Sequence, residues 1–305
     1  MVSPASEQPC ASDVWARRLR AAGEFSCAKG WGPGQALEGF WRDVFSSLRP
    51  GSRILEIGCG SGDVSIWAAE AGRSLRIVAS DRVALVGRLP HHPAVEFLGD
   101  APAEALPVES ASFDAVISNF GIEYADHAKA AAELARVLKP AGGGMLVLHS
   151  ADSTVTAMSR AALGTHQRLI AADVPDRVRS AAALRPDHLS RRKLLKDVLR
   201  REPEIPPPAL SYSGVEYFEI ARRLLKGDPA ARRDLETLDE AVTMRQQISR
   251  EQSRVALDRT ALGALQRLFQ ANGLVLEVSE LTYTYPSGLT DKVGWIGLVS
   301  KTVVS

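Results

Sequence analysis

The sequence predicts an α/β fold, a doubly wound sheet of mainly parallel strands with a mainly helical insertion and a closing β-hairpin. Three observations carry this. From Arg53 to His149, short apolar runs alternate with stretches of helical spacing, the pattern of strands joined by crossover helices. Within that stretch, Arg53-Ile54-Leu55-Glu56-Ile57 leads into the glycine turn Gly58-Cys59-Gly60-Ser61-Gly62, and Ile77-Val78-Ala79-Ser80 leads into Asp81. Near the end, Leu274 to Tyr285 and Val293 to Val304 are rich in β-branched and aromatic residues, with Pro286, Ser287, Gly288 and Asp291 between them to turn the chain.

The elements follow in order. Leu37, Phe40, Trp41, Val44, Phe45 and Leu48 recur at helical spacing, so an amphipathic helix is expected to pack on the sheet. Glycines at 30, 32 and 34 precede it, as the hinge of a lid or as an ordinary loop. Pro50-Gly51 turns the chain into the first strand. Later strands are expected within Val95–Ala101, over Ser112–Asn119 and at Met145–His149, with a helix through Glu133–Lys139 that stops at Pro140 and Gly142 to Gly144. Glu56, Asp81, Asp100 and Asn119 then stand at or near carboxyl ends of strands, where ligands bind in such sheets.

The turn at 58–62 suits an adenosine-bearing ligand, because glycines let backbone approach it and an acidic residue accepts hydrogen bonds from ribose hydroxyls. The spacing narrows the ligand further. A dinucleotide site would place its third glycine at position 63, where this chain has Asp63, and a carboxylate at the helix start repels a pyrophosphate. A cofactor without phosphate meets no such conflict.

These residues resemble the class I S-adenosylmethionine-dependent methyltransferases, whose first motif is a strand with an acidic residue followed by G-x-G-x-G, here Glu56 with Gly58, Gly60 and Gly62. Val95 to Ala101 and Glu133 to Gly144 resemble the family's third strand and helix-to-fifth-strand segment, and Ser112 to Asn119 resembles the fourth strand of the branch related to ubiquinone biosynthesis enzymes. The resemblance implies a Rossmann-like seven-stranded sheet with an antiparallel last strand, and S-adenosylmethionine as cofactor. It implies that backbone around Gly58, Cys59, Gly60 and Gly62 lies against the methionine part. Asp81 would take the ribose hydroxyls with Arg82 beside the adenine, Asp100 and Ala101 would take the adenine edge, and Asn119 and Phe120 would line the methyl-transfer side. Asn119 is followed by Phe120-Gly121 rather than Pro-Pro and an aromatic, which argues against methylation of nucleic-acid bases or glutamine amides.

Candidate catalytic groups are few. His149 ends the fifth strand, where it could accept a substrate proton or serve the fold, and Glu123 and Tyr124 follow the fourth strand, where they could orient substrate, cap or pack. No metal is expected, since Cys10, Cys27 and Cys59 lack ligand spacing, and Cys59 reads as a small side chain that fits its turn.

Four stretches organise the 305 residues: a helical lid over 1–49, a cofactor-binding core over 50–150, a helical cap over 151–272 and a hairpin over 273–305 that completes the sheet. One long helix is expected from about Asp234 to Gln270 with a break near Gly263, and Glu202 to Pro208 is expected to be an extended connector. A net charge of +1 gives no push toward nucleic acid or anionic membranes, and no stretch approaches the roughly 20 apolar residues of a membrane span, so a cytoplasmic enzyme is expected. Residues 191–201 have a basic face that could touch RNA, though such a face is more commonly solvated. The expected acceptor is a small molecule; RNA or protein is the alternative, and a nucleotide-dependent oxidoreductase is disfavoured by Asp63 and the glycine spacing.

Overall fold

The computed structural model describes residues 15–16, 32–84, 91–205 and 215–302. Its centre is a seven-stranded sheet in the order β3-β2-β1-β4-β5-β7-β6. The strands are β1 (Arg53–Ile57), β2 (Arg76–Ser80), β3 (Val95–Leu98), β4 (Phe113–Asn119), β5 (Leu138–Leu148), β6 (Leu274–Thr284) and β7 (Thr290–Lys301). Pairing is parallel from β3 through β5, and β7 runs antiparallel to both of its neighbours. This is the Rossmann-like sheet with an antiparallel last strand that the motifs imply.

Central strands read as continuous apolar runs because both faces are covered. The two-residue period of β1 sends Leu55 and Ile57 to one face, with Val116, Leu134, Leu146 and Phe269. It sends Ile54 to the other, with Trp41, Phe45, Trp67 and Val147. Helix α1 (Gly32–Ser47) supplies Leu37, Trp41 and Phe45 to that second core, so the apolar stripe packs as its spacing predicts. Gly32 and Gly34 lie within the first turn of α1, which corrects their reading as hinge or loop; Gly30 lies outside the described residues. Helices α2 (Asp63–Glu70) and α3 (His127–Val137) connect the parallel strands, and Asp126 caps α3 by accepting from Ala128 and Lys129 N–H groups.

The chain divides into two compact units. One comprises the described residues to Val155 together with those from Val255. The other, Thr156–Arg254, is helical and holds most of α4 (Thr154–Ala171), all of α5 (Val174–Ala183), α6 (Leu189–Arg200) and α7 (Val215–Leu225), and nearly all of α8 (Ala231–Val255). Its own core includes Val178, Leu195, Tyr217, Phe218 and Leu235. Tyr217 and Arg179 both donate to Asp239, at 2.6 Å and 2.7 Å, which satisfies the polar ends of this packing.

Three expectations about this region are corrected. The break in the long helix falls at Ala256–Asp258 rather than at Gly263: Leu257 leaves the helix to donate to His149 O, and Asp258 caps α9 (Arg259–Ala271) by accepting from Ala261 N–H. Helix α9 buries Leu262, Leu265 and Phe269 in the sheet's core. Glu202–Glu204 forms a 3-10 turn rather than extended chain, and Pro206 to Pro208 lie outside the described residues. On the basic helix, Arg191 is buried and donates to Leu184 O and Leu224 O, so that side chain is structural rather than solvated. Among the described residues no helix is long and apolar enough to cross a membrane.

Candidate active site

A cavity of about 140 Å³ lies at the carboxyl ends of β1, β2 and β4. The turn after β1 builds its floor. Gly58, Gly60 and Gly62 all take positive φ, 69°, 52° and 78°, which lets the chain reverse sharply from strand to helix. Gly58 and Cys59 N–H groups both donate to Ser80 O, which pins the turn to the end of β2. A second glycine faces the first: a Cβ on Gly121 would lie 2.8 Å from Ile57 O and 3.1 Å from Gly58 Cα, so the turns after β1 and β4 touch only because neither residue has a side chain.

Asp81 sits where β2 ends. Its carboxyl accepts from Gly60 N–H at 2.9 Å and from Val83 N–H at 3.0 Å, and burial raises its pKa against those two bonds. Glu56, one strand over, is fully enclosed and bonded to Ser65 Oγ, and burial pushes its pKa up to about 8. Burial, with the neighbouring Glu56 and Asp81, also raises the Cys59 thiol, which suits a packing role. Arg82 lines the cavity while held by Glu104 at 2.8 and 2.9 Å.

The far wall comes from β4, β5 and α1. Asn119 Oδ1 accepts from Trp41 Nε1 at 3.0 Å, and Phe120 takes a left-handed φ of 53°, a strained setting for an aromatic residue. Its ring centroid lies 4.4 Å from that of His149. His149 and Glu123 are both buried and meet directly, Glu123 Oε1 lying 2.7 Å from His149 Nδ1 and accepting from its backbone N–H at 2.9 Å. Tyr124 sets its ring edge to His149 at 5.9 Å and to Trp15 at 5.3 Å.

Among the residues expected to form the site, Glu56, Gly58, Cys59, Gly60, Asp81, Arg82, Ala101, Asn119, Phe120, Tyr124 and His149 line this one cavity. Gly62 stands behind the floor as the start of α2, and Glu123 reaches the cavity only through His149. Asp100 is not brought in: it is exposed, in a left-handed turn with φ 53°, and the wall there is Ala101 and Ala103. Trp15, Ile57, Val64, Val83, Ala103, Gly121 and Ala125 were among those missed. Gly121 had a legible signal, its place immediately after Asn119-Phe120 at a strand end.

The lining charges select the ligand. Asp63 and Asp81 face the cavity as carboxylates, Glu56 beside them holds its proton below about pH 8, and the one guanidinium among the described lining residues, Arg82, is already paired with Glu104. Such a surface repels phosphates and favours a ligand bearing positive charge and hydroxyl groups. The fold is that of the class I methyltransferases, and the cavity stands at the carboxyl ends of the strands, where such sheets bind their ligands.

Residues 55–147 match the methyltransferase domain family, so this part of the chain is a class I S-adenosylmethionine-dependent methyltransferase domain. An uncharacterized protein of Mycobacterium tuberculosis is 42% identical over 103 residues, covering 32% of this chain and 37% of that one. The ubiquinone/menaquinone biosynthesis C-methyltransferase of Brucella anthropi is 35% identical over 127 residues, 37% of this chain and 48% of its own length. The chain thus spans about half or less of the curated relatives it matches. Among solved structures, a SAM-dependent methyltransferase of Thermotoga maritima aligns over 96% of this chain and 99% of its own with 13% identity and a TM-score of 0.47. Phosphoethanolamine N-methyltransferase 2 of Haemonchus contortus, solved with S-adenosylmethionine, aligns over 97% and 58% with 14% identity and a TM-score of 0.38. The cofactor of this domain is S-adenosylmethionine, and the cavity fits it: apposed glycines leave bare backbone for the methionine part, and the carboxylates suit its cationic groups and ribose.

Proposed function

We propose that this chain transfers a methyl group from S-adenosylmethionine to a small-molecule acceptor, with the helical unit Thr156–Arg254 contributing to acceptor choice. The observation that carries the donor half is the cavity lined by Glu56, Asp63 and Asp81 with no unpaired cation among its described lining. Asp81 takes the ribose hydroxyls, Ala101 and Arg82 border the adenine, and the backbone of Gly58 to Gly60 lies along the methionine part. Asn119, held by Trp41, and Phe120 border the methyl. When bound, the donor supplies an electrophilic methyl group on a sulfonium. The chain's own work is to align the acceptor with it and keep water out.

The small-molecule reading is supported by the net charge of +1, which gives no push toward nucleic acid or anionic surfaces. The test is incubation of the chain with methyl-tritiated S-adenosylmethionine and a fractionated cell extract. Label is expected in the small-molecule fraction; label confined to RNA or protein would contradict the reading.

A further inference from the structure

We propose that His149 is the proton acceptor of the transfer, held by Glu123 as a positioning residue, and that the acceptor is a hydroxylated aromatic small molecule. This rests on the methyltransferase reading above. Glu123 lies in the 3-10 turn after β4 and His149 follows β5, 26 positions along the chain, and the pairing of β4 with β5 brings them together. Glu123 Oε1 already accepts from the His149 backbone N–H at 2.9 Å, so at 2.7 Å it serves as acceptor for Nδ1–H as well. That arrangement places the ring's lone pair on Nε2.

Nε2 is buried and has no hydrogen-bond partner among the described residues. Such a group is costly to leave unmade, and here it belongs to a ring that lines the cavity. His166 Nδ1 is likewise buried without a partner among the described residues, but only the His149 ring lines the cavity.

The surroundings of this ring name the partner. Phe120, Tyr124 and, beyond it, Trp15 place aromatic rings on the His149 side of the cavity, whereas the carboxylates stand on the β1 and β2 side. A flat apolar molecule packs against such rings. Its nucleophile must carry a proton that a single imidazole can remove, and a hydroxyl on an aromatic ring is acidic enough. In the step, His149 Nε2 takes the hydroxyl proton. The O–H electron pair stays with the acceptor, whose oxygen or adjacent ring carbon bonds to the donor's methyl carbon, and the C–S pair passes to sulfur. Attack through the ring carbon is followed by loss of that carbon's proton to solvent, which restores the aromatic ring and the hydroxyl's oxygen as phenolate. The imidazolium, beside Glu123, then returns its proton to solvent.

The experiment uses the full chain, wild type and His149→Gln, saturated with S-adenosylhomocysteine and titrated with 4-nitrophenol. The wild-type complex is expected to bind the phenol as its coloured phenolate at a pH where the free phenol is mostly neutral. His149→Gln is expected to lose that absorbance while binding S-adenosylhomocysteine within about twofold of wild type. With S-adenosylmethionine and a panel of phenol, catechol and 4-nitrophenol, His149→Gln should lower kcat by about 100-fold or more with little change in donor KM. Glu123→Gln should lower kcat about 10-fold. Product analysis separates oxygen from ring-carbon methylation. A wild-type complex that binds S-adenosylhomocysteine but neither ionises nor methylates any of these phenols overturns the proposal and leaves the donor reading intact. So does a His149→Gln variant with wild-type turnover. Failure to bind S-adenosylhomocysteine at all would overturn both.

Discussion

Trp41 Nε1 donates to Asn119 Oδ1 at 3.0 Å, joining the first helix to the end of β4 across 78 positions of sequence. The indole is fully buried, so this bond has no water to replace it. Trp41→Phe is expected to destabilise the fold by about 1–3 kcal/mol, since it leaves the Asn119 amide oxygen without its partner. Affinity for S-adenosylhomocysteine should fall with it. Thermal melts and calorimetry check both, and a variant unchanged in either would remove α1 from the donor site's support.

Gly121→Ala places a Cβ 2.8 Å from Ile57 O, against backbone that cannot step aside cheaply. The expected outcome is a loss of S-adenosylhomocysteine affinity of about 10-fold or more. Gly39→Ala is the control: a Cβ there meets nothing within 4 Å, and the helix around it should gain about 0.5–1 kcal/mol. Equal effects from the two would mean that the contact between the turns after β1 and β4 does not shape the site.

Glu56 makes stability fall with rising pH. Its pKa stands near 8 in the fold against an ordinary 4.5, so between those values the folded chain holds a proton that the unfolded chain has released. The Glu56 contribution is therefore fully present below about pH 4.5 and lost as pH rises through 8. Glu56→Gln, neutral at every pH and still able to accept from Ser65, should flatten the denaturation midpoint between pH 5 and 8. A slope identical to wild type would contradict the raised pKa. A cationic donor beside Glu56 favours its ionised form, so binding should release a proton, visible as buffer-dependent heats in calorimetry.

What was legible in the sequence was whatever local pattern encodes. The turn at Gly58 to Gly62 and the acidic end of β2 at Asp81 each mark a strand end by short-range constraint, whereas Pro140 and Gly142 to Gly144, read as a helix stop and the entry to the strand, lie within β5. Long-range partnerships were not legible. Glu123 and His149 were each recognisable as polar residues after a strand, but their pairing depends on β4–β5 register, and Trp41 could be read only as core. Asp100 shows the converse, since its motif matches while a left-handed turn turns it out of the cavity. The helix break was misplaced to Gly263 because glycine is the local breaker, whereas Leu257 leaves the helix for a hydrogen bond to His149 that no local pattern shows.

The proposed donor site rests on Asp81, and Asp81→Ala is expected to remove a charge-assisted contact to the donor while Gly60 and Val83 N–H groups lose their acceptor. The most direct measurement is calorimetric titration of wild type and Asp81→Ala with S-adenosylhomocysteine and, separately, with NAD. Single-site binding of S-adenosylhomocysteine to wild type, weakened about 10- to 100-fold in Asp81→Ala, with no heat from NAD, is the predicted result. Binding of NAD in place of S-adenosylhomocysteine, or equal affinity in the two proteins, would contradict it.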